Sequence, residues 1–155
     1  MIDTSLLRKI ELFASLEPLH LAHLASIGRE LALPKDEIIF EEGDVGTDLY
    51  VVADGSVRIS KIVPGIGEEA LAILRAGSYF GEMEFADRSI PRAARALAHE
   101  RTLLYCFSYT ELDDLLGTDR DLALAIKTAM LRTLVRRLRA TNDKVTAMFA
   151  MAQFG

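Results

Sequence analysis

Between Leu31 and Phe107 the apolar residues stop following a helical period and begin to alternate, in runs too short for helices and each closed by a turn signal. Leu31 and Leu33, Ile38-Ile39-Phe40, Leu49-Tyr50-Val51-Val52, then Val57, Ile59 and Ile62 form the first such runs. Pro34-Lys35-Asp36, Glu42-Gly43-Asp44, Asp54-Gly55-Ser56 and Pro64-Gly65-Ile66-Gly67 separate them. Asp-Gly between alternating runs is a strong hairpin signal. Gly43, Gly46, Gly55 and Gly77 read as turn glycines with positive φ. Residues 70–74 and 102–107 add further strands, with residues 93–98 between them. Many short strands at regular spacing leave few folds open, a jelly roll or β-roll foremost.

Helices flank this region. Leu6, Leu7, Ile10 and Phe13 fall at helical spacing, and Leu19, Leu21, Leu24 and Ile27 repeat it after Glu17-Pro18, with Gly28 as a stop. Two short helices are expected there. His20 and His23 stand three apart on the second, a spacing that suits a metal, but no third ligand lies nearby, so a packing role is favoured. Ser108 and Glu111 form a capping box opening a helix whose stripe is Leu112, Leu115 and Leu116 and whose stop is Gly117. Thr118 or Asp119 then caps a long helix to about residue 150, roughly 45 Å at 1.5 Å per residue. Leu124, Leu131, Leu138 and Val145 fall seven apart, with Leu134, Thr141 and Met148 in the other seam position. That is a coiled-coil seam, interrupted by Lys127 and Thr141, and it predicts a parallel homodimer.

One stretch carries chemistry rather than architecture. Tyr79-Phe80-Gly81-Glu82-Met83-Glu84-Phe85 places a glycine turn, a carboxylate and a short apolar helical turn ahead of Arg92-Ala93-Ala94. Free amide groups plus a guanidinium suit a phosphate, and a carboxylate ten residues earlier suits a sugar hydroxyl. Together they describe a ribose phosphate.

Phe80-Gly81-Glu82 and Pro91-Arg92-Ala93-Ala94 resemble the phosphate-binding cassette of the cyclic-nucleotide-binding domain family. Gly55-Ser56-Val57-Arg58-Ile59 and Gly77-Ser78-Tyr79-Phe80 sit where that family's β-roll turns belong, so the resemblance covers nearly the whole chain. It implies that Arg92 binds the cyclic phosphate and Glu82 the ribose 2′-hydroxyl, with Gly81, Met83 and Glu84 and the Ala93-Ala94 pair completing the cage. In the bacterial catabolite-activator-like members the long helix reads similarly around Arg136-Arg137-Leu138 and Thr141-Asn142. Thr141, and Asn142 from a partner subunit, are therefore implied to touch the base. Ala93 stands where the family associates Thr with cGMP, which favours cAMP, with cGMP as the second choice. Where relatives carry a small residue this chain has Glu84. A carboxylate there repels the phosphate if it faces the ligand and costs little if it faces solvent or pairs with Arg88 or Arg95.

The expected fold class is α+β, mainly β: an antiparallel β-roll flanked by N-terminal helices, then a short helix and a long C-terminal dimerisation helix. Residues 1–118 form the binding domain, and residues 119–155 the helix that also serves as ligand lid. The 155 residues suffice for one core, and the formal charge of −5 argues against a surface devoted to nucleic acid. A single cysteine, Cys106, lies in an apolar strand and is read as buried and structural; it allows no internal disulfide and no cysteine metal cluster. No secretory signal or membrane span is read, which makes a cytoplasmic site the default. The residues after the long helix are too few for a helix-turn-helix, so direct DNA binding is not expected and the effector stays unnamed. No nucleophile–base constellation or metal cluster is read, so a non-enzymatic sensor is the leading function. A degenerate fold used for dimerisation or protein interaction is the alternative.

Overall fold

Tyr105 and Phe107 point to one side of their strand and Leu104 and Cys106 to the other, and all four are buried. A strand buried on both faces needs a layer on each side, and this requirement organises the molecule. The computed structural model describes residues 2–154. Helix α1 (Thr4–Leu7), a 3-10 turn (Glu11–Phe13) and helix α2 (Pro18–Ile27) precede strands β1 (Arg29–Leu33), β2 (Ile38–Phe40), β3 (Asp48–Asp54), β4 (Ser56–Val63), β5 (Gly67–Arg75) and β6 (Tyr79–Phe80). Helix α3 (Glu82–Ala86), strands β7 (Arg95–Ala98) and β8 (Thr102–Ser108), and helices α4 (Tyr109–Thr118) and α5 (Arg120–Phe154) complete it.

The strands form two antiparallel four-stranded sheets, in the orders β1-β8-β3-β6 and β2-β7-β4-β5. Val52, Phe80, Leu104 and Cys106 of the first sheet face Val57, Ala96 and Ala98 of the second across the inside of the roll. Leu49, Val51, Tyr79, Tyr105 and Phe107 face the other way, onto α1, α2, α4 and the start of α5. The α+β class, with a β-roll, flanking helices and a long last helix, is the architecture expected.

Two local expectations are corrected. Residues 6–13 do not form one helix: α1 stops at Leu7, and Ile10 is extended, with Glu11 N donating to Gly77 O at 3.0 Å. The break lets Ile10, Leu12 and Phe13 all enter the core, which a continuous helix would spread over too wide an arc. Asp54-Gly55 is not a hairpin turn either, because β3 and β4 belong to different sheets; among the described residues the hairpin is that of β4 and β5, across residues 64–66. Gly55 adopts φ +85°, and a Cβ there would lie 2.4 Å from Arg101 O, so the chain crosses between sheets pressed against the start of β8. Thr102 Oγ1 donates to Ser56 O at 2.9 Å and fixes the crossing.

Helix α5 has two faces. Leu122, Ile126 and Thr133 are buried against the chain's own domain, while Leu124, Leu131, Leu134, Val135 and Leu138 are exposed on other sides of the helix. From Leu138 to Phe154 every residue is exposed. Asp119 caps the helix, its carboxylate accepting from Leu122 N at 3.0 Å. His20 sits 3.0 Å from the other carboxylate oxygen of Asp119, so it serves that cap and does not stand with His23 as a metal pair.

Candidate functional site

Arg92 is a buried charged side chain, with only 2% of the residue exposed. Its backbone is clasped by the acidic turn before β3: Arg92 N donates to Asp44 O and Gly43 N donates to Arg92 O, both at 2.8 Å. That turn holds itself together, since Asp44 accepts from Glu41 N at 3.0 Å and Glu41 pairs with Arg95 at 2.9 Å. The guanidinium lies over the Phe40 ring at 4.2 Å and near those of Tyr109 and Tyr50 at 5.7 and 5.8 Å. An aromatic face attracts a cation, which offsets part of its desolvation. Nη2 donates to Asp48 O and Nη1 to the Tyr109 hydroxyl, each at 2.8 Å. Tyr109 in turn donates to Gly81 O, so one phenol ties the start of α4 to both ends of the cassette.

Glu84, also buried at 5% exposure, stands 3.4 Å from Arg92 Nη1. It therefore takes neither of the partners expected for it. Arg88 instead reaches Asp113 at 2.6 Å across the Phe85 and Tyr109 rings, and Arg95 holds Glu41. Nε of Arg92 is buried without a partner among the described residues. Burial pushes the Tyr109 hydroxyl up to about 12, opposed by Arg92 and reinforced by Glu84, so it is a neutral donor at any ordinary pH.

Gly81 and Gly46 let the chain approach this arginine. Gly81 has φ +86°, and a Cβ would meet Asp48 O at 2.9 Å and Arg92 Nη1 at 3.0 Å. Gly46 does not have positive φ, contrary to its reading as a turn glycine; its lack of a side chain matters because a Cβ would lie 2.9 Å from Arg92 Cζ.

A cavity of about 290 Å³ opens between the cassette and the β4–β5 hairpin. Gly81, Glu82, Met83, Glu84, Ala93 and Ala94 form one wall, and Phe40, Ile59, Leu71 and Leu74 an apolar one. Arg137 of α5 lines it as well, donating to Glu82 at 2.8 Å and to Tyr79 O at 3.0 Å. Burial raises the Glu82 carboxyl above its ordinary value, while Arg137 pulls it back.

Residues 30–119 match the cyclic nucleotide-binding domain family. This chain belongs to that family. It is 37% identical over 132 residues to the cyclic AMP receptor protein of Thermus thermophilus, covering 84% of this chain and 58% of the relative. It is 29% identical over 140 residues to a CRP-like cAMP-activated global transcriptional regulator of Mycobacterium tuberculosis, covering 90% of this chain and 60% of the relative. The chain thus spans about 60% of the length of these curated relatives. Among solved structures, a cyclic nucleotide-binding domain from Methylobacillus flagellatus superposes with a TM-score of 0.80 at 29% identity, over 92% of this chain and 79% of that one. The N-terminal domain of a Streptomyces coelicolor transcriptional regulator gives 0.71 at 34% identity, over 90% and 94%. The family is regulatory and non-enzymatic, and the chain is a sensor domain of its catabolite-activator-like branch.

Of the residues singled out in the sequence of this cyclic-nucleotide-binding domain, Gly81, Glu82, Met83, Glu84, Ala93 and Ala94 line the cavity. Arg92 does not; Glu84, its partner, does. Thr141 and Asn142 are exposed on α5 and do not line this cavity in the single chain. Phe40, Gly46, Tyr50 and Tyr109 were missed as parts of the arginine's cradle, because in sequence they look like strand, turn and helix-start residues. In the sequence Arg137 stands within the Arg136-Arg137-Leu138 resemblance, with no local sign of its reach to Glu82. Among the described residues no helix is long and apolar enough to cross a membrane.

Proposed function

We propose that this domain binds a cyclic nucleotide, cAMP in preference to cGMP, and reports its occupancy through α5. The supporting observation is the two-sided cavity, with Glu82, Arg137 and the cassette backbone at one end and Phe40, Ile59, Leu71 and Leu74 at the other. A ribose phosphate suits the first end and a purine the second. Relatives named as cyclic AMP receptor and as cAMP-activated regulator support the choice of ligand. Ala93, on the cavity wall, offers no hydroxyl to a guanine amino group.

In this reading Glu82 exchanges Arg137 for the ribose 2′-hydroxyl or shares itself between them, and Arg92 takes the phosphate. Arg137 joins the cassette to α5, so a ligand that changes this contact has a differential affinity for two positions of the helix, which signalling requires. Thr141 lies one turn beyond Arg137 on the same side of α5, suited to meet the base once the helix is paired. The exposed stripe Leu124, Leu131, Leu138 and Val145 supports a homodimer through α5, with Asn142 approaching from the partner.

Calorimetric titration of the full chain with cAMP and with cGMP tests this, beside an Arg92→Ala variant. Saturable cAMP binding, weaker for cGMP and lost in the variant, is expected. The second reading, a dimerisation module without ligand, is favoured by the internal pairing of Arg92 with Glu84; absence of heat with both nucleotides from a folded dimer would select it.

A further inference from the structure

We propose that Glu84 is an internal stand-in for the ligand's phosphate, an autoinhibitory anion that occupies Arg92 in the empty domain and must be displaced when an external anion binds. The inference rests on the cyclic-nucleotide reading for its ligand, but its physical basis is local. Glu84 lines the cavity and Arg92 does not, so a ligand in the cavity meets the carboxylate at the wall while the guanidinium stays behind it. Both residues are buried, and their contact is 3.4 Å, at the long end for an ion pair. Arg92 keeps an Nε with no acceptor, so its donor set is left unsaturated by Glu84, Tyr109, Gly81 and Asp48.

The charges around Glu84 explain why the pairing sets affinity. Facing it are Arg92 from the loop before β7, the neutral Tyr109 hydroxyl of α4 and Glu82 on α3. Arg137 and Lys61 complete the cavity wall; Arg137 is committed to Glu82, and Lys61 lies 3.4 Å from Glu42. With each arginine already holding a carboxylate, no net positive charge awaits a phosphate. A guanidinium binds carboxylate and phosphate through the same fork, and two anions close together in a low-dielectric site repel. Binding is therefore an exchange of one anion for another, and removing the internal one strengthens the external one.

The test compares the 155-residue chain with its Glu84→Gln, Glu84→Ala and Glu84→Gln/Arg92→Gln variants. Titration with cAMP should show tighter binding, by about tenfold or more, in both single variants, and loss of the gain in the double variant. Thermal unfolding in inorganic phosphate supplies an arm independent of any nucleotide. Glu84→Gln should melt lower than wild type without ligand, since Arg92 is then buried unpaired, and phosphate should raise its melting temperature saturably while leaving wild type and the double variant unmoved. A gain for phosphate but not for cAMP would uphold the stand-in role and sink the nucleotide reading. Equal cAMP affinity in wild type and both single variants, or a Glu84→Gln protein that gains neither ligand, would overturn the proposal and leave Glu84 a structural residue.

Discussion

Arg92 brings a permanent positive charge into an interior that would reject it unpaired, and the fold meets that demand with a phenol, backbone carbonyls, an aromatic face and a carboxylate. The Tyr109 hydroxyl can be removed without altering charge and with its ring left in place. Tyr109→Phe deletes its bonds to Arg92 and Gly81 O and should lower the unfolding free energy in urea by about 1–3 kcal/mol. A loss within measurement error would show that the phenol positions nothing. Glu82 offers a pH-dependent readout. Its carboxyl is raised by burial, so relative to the unfolded chain its contribution to stability is fully present below the ordinary carboxylate range and is lost as pH rises through the raised folded value. Arg137 works against burial, so Arg137→Ala should move the Glu82 midpoint still higher, as followed by carboxyl NMR. A midpoint that stayed still or fell would contradict the Arg137 contact. At this scale the cassette was legible, because glycine, carboxylate and arginine sit close in sequence. The cradle was not: Phe40, Gly46 and Tyr109 lie far from Arg92 along the chain and meet it only after the sheets close.

Strands are read from alternation between turn signals, and that reading located the longer ones; the two-residue β6, buried at both positions, was read only as the lead-in to the cassette. Alternation did not tell which strands share a sheet. Gly55 looked like the apex of a hairpin and is instead a crossing, a distinction set by the close approach of Arg101 O and Thr102. Gly55→Ala should therefore cost well over the roughly 1 kcal/mol of a left-handed residue gaining a side chain. Gly43→Ala, with φ +91° but nothing within 4 Å, should cost only about that much. Similar urea midpoints for the two would refute the crossing. In α5 the heptad pattern identified the exposed stripe, whereas the face formed by Leu122, Ile126 and Thr133 went unread because Ile126 and Thr133 repeat at the same seven-residue spacing on another side of the helix. Leu131 and Leu138 are 62% and 57% exposed in the single chain. Changing both to Lys should leave the thermal transition of the β-roll intact and give a monomer by sedimentation. Loss of fold would place those leucines in the chain's own core, and a surviving dimer would move the interface elsewhere.

Across the whole molecule, two apolar cores share one sheet as a common wall, and the cavity sits where the roll meets α5. The first core takes in the N-terminal helices, α4 and the start of α5, so the cassette, through Tyr109 and Arg137, touches both ends of the helical layer. A ligand at that junction acts on elements the sequence presents as separate segments. The overall architecture could be anticipated because turn spacing and the two helical signatures agree on it; the coupling could not, since it runs through two side chains whose partners are decided by packing. The most direct test is amide hydrogen exchange on the full chain with and without saturating cAMP. Protection should appear in residues 81–84, 93–94 and 59–74 and along α5 near Arg137, with little change in α1 and α2. Protection confined to other surfaces, or none at all, would contradict the assignment of this cavity as the nucleotide site.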